Sequence, residues 1–322
     1  MPNPLEDVIK FAIDIFNHVN LYIKCSGVLK MDDNVINEMK SIIDRYSLCD
    51  GIHATKIEGL HFYKMSSLNV RLPVIYRPSI YVVVQGCKQV SLNGEVFQYT
   101  NSKYLVVSVD LPLIGEVTSA NKDKPYLCIQ IDIDMKTMAK LVAELNLKAS
   151  HKTGKGIFVG NMDEVLGEPI LRLMKLLDAP KDIPYLSGVY FLEIYYRLLN
   201  TPHGSSIIQT SLHGSNMYRV AKVIEIMKLD IAKPRSIDEL AAMINMSTSN
   251  FYNQFKKVTG LSPLQYLKQL RLTEARQIMI SHNTNATKTA YMVGYESPSQ
   301  FSREYTRLFG ASPRRDIKAF RK

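Results

Sequence analysis

The chain has 322 residues, 46% of them apolar, and a formal net charge of +10. That length makes two domains the starting expectation, and the apolar fraction is ample for packed cores. No apolar run approaches the roughly 18–20 residues of a membrane span, and "MPNPLEDVIKFAID" lacks the basic start and pure apolar stretch of a signal peptide. Cys25, Cys49, Cys87 and Cys128 are scattered without a CxxC pair, which suits reduced thiols in a cytoplasmic protein and gives no zinc motif. The charge is confined to one end. Residues 213–322 hold 18 Lys+Arg against 8 Asp+Glu, whereas residues 1–212 hold 22 of each. A basic region beside a neutral one is the electrostatic footprint of a nucleic-acid binder.

In chain order, residues 5–46 carry mostly helical spacing, with Leu5, Ile9, Ala12 and Phe16 recurring at three and four. Residues 52–133 change character. Short β-branched and aromatic runs ("IYVVVQG", "KQVSLNG", "EVFQY", "KYLVVSV", "YLCIQIDI") are punctuated by Gly, Pro, Asn and Asp, which predicts an all-β barrel or sandwich. Asn93-Gly94 is a hairpin signal. Alternation puts Tyr81, Val83 and Gln85 on one strand face and Val82 and Val84 on the other, without saying which points inward. Helical periodicity returns over about 135–200, including "PILRLMKLLD" and "YLSGVYFLEIYYRLLN". The second is apolar on most sides, so it must be buried in its own domain or against another subunit. A homodimer through residues 163–200 is therefore expected. "NTPHGSS" predicts a linker around 200–213, dividing the chain into 1–212 and 213–322.

The C-terminal region repeats itself. Residues 247–267 and 297–317 share six of 21 positions, among them Phe251/Phe301, Gly260/Gly310 and Pro263/Pro313. Upstream, Ala241 pairs with Ala290, Ile244 with Val293 and Asn245 with Gly294, with a one-residue slip. Each unit parses as helix, tight turn, helix, stop, helix. Ser236 and Glu239 predict a capping box; Ser247 caps the second helix. In the other unit Ser297, Pro298 and Gln300 supply an N-cap, a first-turn proline and a box partner. Gly260 and Gly310 sit where a helix needs a left-handed residue to stop, and Ser262-Pro263 and Ser312-Pro313 start the next helix.

At about 100° per residue, Phe251, Phe255 and Val258 form one face of the first short helix, with Ser249, Asn253, Lys256 and Lys257 opposite. Phe301, Tyr305 and Leu308 form the matching core stripe of the second, with Ser299, Arg303, Thr306 and Arg307 outward. Small polar and basic side chains on an anchored helix are what reading a DNA major groove requires. Between the units, "PLQYLKQLRLTEARQIMIS" presents Leu264, Leu267, Leu270, Ala275 and Ile278 as a packing face. Its span of about 27 Å can set two recognition helices roughly one DNA turn, about 34 Å, apart.

"LAAMINMSTSNFYNQFKKVTGLSPLQYLKQLRLTEARQIM" and "AYMVGYESPSQFSREYTRLFGASP" resemble the double helix-turn-helix of the AraC/XylS family of bacterial transcription regulators. "DGIHATKIEGLHFYK", "PVIYRPSIYVVVQGCKQV" and "YLVVSVDLPLIGEVTSANKDKPYLCIQIDID" are similar to the AraC-type N-terminal domain, a cupin-like β-barrel that senses an effector. The resemblance covers about residues 50–317. It implies a cupin-like β-barrel with flanking helices, followed by an all-α domain of two helix-turn-helix units on a long joining helix. It places Ser249, Tyr252, Asn253 and Arg303 at base- and phosphate-contacting positions. Their neighbours Ser247, Thr248, Asn250, Lys256, Lys257, Ser299, Gln300, Ser302, Thr306 and Arg307 belong to the same DNA-binding set. The chain departs from the family pattern at Asn253, where Arg is common.

The partners so implied are double-stranded DNA, a small-molecule effector, RNA polymerase if the protein activates, and a second copy of the chain. No cofactor, metal or membrane is expected. A cupin-type enzyme is the alternative for the barrel, but metal-dependent cupins use a histidine cluster with a carboxylate. Here only His53 and His61 flank the barrel's start, and no histidine lies between residues 62 and 150. "TGKG" at 153–156 lacks the first Gly and the Ser/Thr of a phosphate loop. An architectural DNA binder, the remaining class, has no use for a neutral barrel of about 80 residues and would spread its charge more widely.

Overall fold

Asp32 begins the first helix, α1 (Asp33–Tyr46), by accepting from the Asn34 N–H, and Val35, Ile36, Met39, Ile42 and Ile43 line its buried face. The computed structural model describes residues 31–68, 71–101, 103–148, 153–233 and 235–320. The expected helical positions Leu5, Ile9, Ala12 and Phe16 lie outside these residues.

Nine strands follow α1: β1 (Gly51–Ala54), β2 (Leu60–Met65), β3 (Leu72–Tyr76), β4 (Ser79–Gln85), β5 (Cys87–Leu92), β6 (Glu95–Thr100), β7 (Lys103–Val107), β8 (Leu111–Ser119) and β9 (Tyr126–Asp132). Asn93 (φ 49°) and Gly94 (φ 87°) turn β5 into β6 with two left-handed residues, the hairpin geometry their sequence favours. After α2 (Met135–Glu144) comes a strand the sequence reading missed, β10 (Ile157–Asn161), which pairs antiparallel with β7. The barrel therefore extends past residue 133. A five-residue apolar run between helices cannot be told from helix by periodicity alone. The strands form a six-stranded sheet, ordered β1-β2-β9-β4-β7-β10, facing a four-stranded sheet, ordered β3-β8-β5-β6.

The six-stranded sheet is buried on both faces. Ile80, Val82 and Val84 of β4 join Val106, Ile129 and Ile131 against the helices, in a core with Met39, Leu141, Ile170 and Leu198. Tyr81 and Val83 point the other way, into the space between the sheets, beside Val90, Leu105, Leu113 and Cys128. The register shifts between Val83 and Gln85, so Gln85 pairs with Leu127 and leaves the alternation expected of it.

The helical layer continues with α3 (Glu164–Lys175) and α4 (Ile183–Leu199). Leu192–Leu199 of α4 are buried, but its first half is not: Tyr185 is 79% exposed. The expected linker is instead a packed helix, α5 (Gly204–Ser211), with Ile207 and Ile208 in the helical core. Gly204 is required there because a Cβ would lie 2.0 Å from the Leu199 carbonyl oxygen. Among the described residues no helix is long and apolar enough to cross a membrane.

Candidate nucleic-acid interface

Seven helices build the C-terminal region: α6 (Asn216–Leu229), α7 (Ile237–Met243), α8 (Thr248–Thr259), α9 (Pro263–His282), α10 (Ala286–Met292), α11 (Pro298–Phe309) and α12 (Pro313–Phe320). The repeat is realised residue by residue. Gly260 (φ 72°) and Gly310 (φ 75°) are both left-handed, and their N–H groups donate to the carbonyls of Lys256 and Thr306. Asn245 (φ 53°) and Gly294 (φ 84°) make the two tight turns. Ser236 and Glu239 form a reciprocal capping box, as do Ser262 and Gln265. At Ser297 only half of the expected box forms. Its hydroxyl accepts from the Gln300 N–H, while the Gln300 side chain donates to Glu304 instead.

Phe251, Phe255 and Val258 are fully buried under α8, and Phe301 and Tyr305 under α11. Ser247, Thr248, Ser249, Asn250, Tyr252, Asn253, Lys256 and Lys257 are all exposed, as are Ser299, Gln300, Arg303, Thr306 and Arg307; Ser302 is half-buried. The set divides by what the side chains already do. Ser247 caps α8, Thr248 donates to Asp238 (2.5 Å), Asn250 accepts from Gln254, and Thr306 donates to the Ser302 carbonyl. Ser249, Tyr252, Asn253, Lys256, Lys257, Arg303 and Arg307 carry no such intramolecular bond among the described residues and are free to meet a ligand. Two uncommitted cations on α8 and two on α11 suit phosphate and base-edge contacts.

Sequence reasoning missed the residues that orient these helices. α9 buries two faces in succession. Tyr266 and Leu270 pack into the first unit, and Leu272, Ala275 and Met279 into the second. Leu264, expected in the packing face, is 61% exposed. Arg271 on α9 donates to three carbonyls, Ile231 (2.9 Å), Ala232 (3.4 Å) and Gly294 (3.1 Å), and so ties the α6–α7 loop to the second unit's turn. Arg276 makes a two-pronged, buried pair with Asp316 (2.7 and 3.0 Å), and the Tyr305 hydroxyl donates to the same carboxylate at 2.7 Å. Burial, with the Asp316 carboxylate beside it, raises the Tyr305 hydroxyl's pKa and keeps it a donor.

The first unit is joined to the barrel. Its core residues and the space between the sheets form one continuous cluster, in which Phe255, Val258 and Met227 share company with Leu92, Val109 and Leu111. The Gly156 N–H donates to the Val258 carbonyl (2.9 Å), the Tyr266 hydroxyl donates to the Asp110 carbonyl (2.9 Å), and Lys228 pairs with the Asp110 carboxylate (2.6 Å). "TGKG" thus serves a domain contact. A cleft of roughly 400 Å³ opens between the sheets, lined by His61, Tyr63, Tyr76, Tyr81, Lys88 and Gln130 among others. His53 lies against the Cys49 carbonyl and His61 against Asp132; among the described residues no three His, Cys, Asp or Glu gather as a metal site.

A family model described as "AraC-type transcriptional regulator N-terminus" matches residues 56–206, and one described as "Helix-turn-helix domain" matches residues 240–319. Residues 56–206 and 240–319 thus match an AraC-type N-terminal domain and a helix-turn-helix domain in succession. The chain's relatives bear regulator names. The HTH-type transcriptional regulator GbdR of Pseudomonas aeruginosa is 29% identical over 121 residues, 38% of this chain and 33% of its own. The lactose operon transcription activator of Staphylococcus xylosus is 20% identical over 239 residues, 74% of this chain and 83% of its own. The match thus spans about a third of the length of the first curated relative. A structure of ToxT from Vibrio cholerae, bound to (E)-4-(8-methylnaphthalen-1-yl)but-3-enoic acid, superposes with a TM-score of 0.56 at 14% identity. The superposition covers 80% of this chain and 97% of that chain, and shows that the two share a fold.

Proposed function

We propose that this regulator reads DNA sequence through α8 and α11 and that its barrel, within residues 1–212, binds a small-molecule effector that alters the reading. The observation that carries this is the pair of aromatic-anchored helices whose exposed faces hold uncommitted polar and basic side chains. The 20-residue α9, about 30 Å long, supports a spacing of roughly one DNA turn between them. ToxT with a small acid bound supports a ligand-taking barrel in this fold. The exposed apolar first half of α4, with Tyr185 and Leu186, supports a homodimer formed there; α3 and the rest of α4 are occupied by the chain's own core. RNA polymerase is a further partner if the protein activates.

The test is DNA binding by the full chain, first to genomic fragments and then to variants of the selected site. Affinity should fall steeply with salt, as phosphate contacts release counterions. Arg303→Ala should cost about 1–3 kcal/mol and relax preference at one base pair, most simply a guanine. Lys257→Ala should weaken all sequences alike. Salt-insensitive binding, or an unchanged ranking of site variants in Arg303→Ala, would refute these roles.

A further inference from the structure

Lys88 is the most unusual side chain in the barrel. It lies on β5 in register with Val90 and Leu92, so the strand's alternation sends it into the space between the sheets. It is only 6% exposed. A lysine that deep normally has a carboxylate beside it. Lys88 has no salt bridge and no hydrogen bond among the described residues. What surrounds its ammonium is aromatic: the Tyr63, Tyr76 and Tyr126 rings lie 5.4, 5.5 and 5.9 Å from Nζ. The hydroxyls of Tyr99 and Tyr126 are completely buried and form no hydrogen bond of ordinary length and angle, their polar neighbours being each other and the Cys128 thiol. Space is kept open by Gly115 on β8, where a Cβ would come within 2.6 Å of the Tyr76 hydroxyl and 3.3 Å of Lys88 Cε. Lys88, Tyr63, Tyr76 and Gly115 all line the cleft between the sheets.

We propose that this cleft is an anion site, in which the Lys88 ammonium pairs with the carboxylate of a small organic acid and the tyrosine rings enclose the acid's apolar body. This deepens the effector reading above and rests on it for regulation, though not for binding. Of the lysine and the arginine on the cleft wall, Lys88 and Arg77, only Lys88 is buried, and its one charge matches a single negative charge. A phosphate ester, carrying nearly two charges, would meet one buried ammonium and the exposed Arg77 guanidinium, with the Asp132 carboxylate also on the cleft wall. Asp132 is already engaged by Gln130, Ser79 and His61, so it does not neutralise Lys88. Met65, Val74 and Ile75 give the wall an apolar stretch that suits a hydrocarbon or aryl group.

The experiment uses the full chain and matched probe pairs: benzoate, phenylacetate, hexanoate and decanoate, each against its neutral carboxamide. Binding is read by calorimetry and by the rise in melting temperature that any native-state ligand produces. At least one acid should bind more tightly than its amide. Lys88→Met, which keeps the length and loses the charge, should weaken that acid by about tenfold or more, the worth of a charge-assisted contact, and abolish the acid–amide difference. Gly115→Ala should block acid and amide together. Three outcomes would overturn the proposal: no acid binding up to millimolar concentration, equal binding of acid and amide, or acid binding undiminished in Lys88→Met. The regulator reading is judged separately. An acid that binds through Lys88 but leaves DNA affinity unchanged upholds the site and rejects it as an effector site. Amides that bind and change DNA affinity uphold the effector and reject the anion class.

Discussion

The two Gly-x-Ser-Pro glycines have the same backbone and different surroundings, which makes them a matched pair for a stability test. Alanine at either must hold a left-handed conformation, at a cost of roughly 1–2 kcal/mol. At Gly310 nothing else is added, since no atom lies within 4 Å of a Cβ there. At Gly260 a Cβ would sit 3.0 Å from Leu92 Cγ and 3.3 Å from its Cδ2, pressing the end of α8 against the β5–β6 end of the barrel. Overpacking of that kind adds about 1 kcal/mol or more. Gly310→Ala should therefore cost about 1–2 kcal/mol, and Gly260→Ala about 2–4 kcal/mol. Leu92→Ala removes both offending carbons. In its background the further cost of Gly260→Ala should drop to that of Gly310→Ala, a coupling of about 1 kcal/mol in a double-mutant cycle. The assay is urea unfolding followed by circular dichroism and tyrosine fluorescence, the chain having no tryptophan. Equal costs at the two glycines, or no recovery with Leu92→Ala, would refute the claim that this cap bears on the barrel. No cost at either would refute the left-handed stop itself.

Asp316→Ala removes both oxygens that hold the buried Arg276 and the acceptor of Tyr305, and should destabilise the second unit by about 3–5 kcal/mol; equilibrium unfolding checks the magnitude, and footprinting should show protection lost over one half-site before the other. Burial pushes the Cys128 thiol up to about 11 from its ordinary 9.0, so at pH 8 it should resist alkylation while exposed Cys49 reacts, as peptide mapping would show. Because its folded value is raised, Cys128's contribution to stability is whole below pH 9.0 and lost as pH rises toward 11. If the effector acts through the Leu92 contact, Leu92→Ala should leave ligand affinity near wild type while shrinking the ligand-induced change in DNA affinity; an unchanged response would place the coupling elsewhere.

The C-terminal units were legible in the sequence because their punctuation is local chemistry. A left-handed glycine, a serine cap and a proline at the first helical position each act within a few residues, and the Phe251 and Phe301 stripes follow from helical period alone. What escaped depends on partners distant in the chain. Arg276 meets Asp316 forty residues on, Arg271 grips carbonyls on both sides of α9, and β10 is a strand because β7 offers it an edge. Val82 and Val84 read as one face, but which side was inward depended on a helical layer built largely from residues after 134. Lys88 did leave a trace: in "CKQVSL" it shares the alternation of Val90 and Leu92, a charge standing where the register calls for an apolar side chain.

Helices α8 and α11 are not equivalent in what they lean on. The first unit has no separate core, since Phe255 and Val258 belong to the cluster that also fills the barrel, and its α8 ends against β5 through Gly260 and Leu92 and against the barrel's 156 loop through the Val258 carbonyl. The second unit has a small core of its own and is positioned by α9, by Arg271 and by the contact of α11 with β3. Lys88 and Leu92 lie on one face of β5, four residues or about 13 Å apart. A molecule seated at Lys88 therefore presses on the same strand that meets the end of α8. Ligand binding changes DNA reading only if the two arrangements of that contact bind the ligand differently. A packed junction with discrete arrangements can supply that difference, whereas a flexible tether would let each domain move without cost to the other. The replacement of the expected linker by the packed helix α5 removes such a tether here, so a shift in the barrel would meet α8 through the shared core and α11 both through α9 and through its own contact with β3.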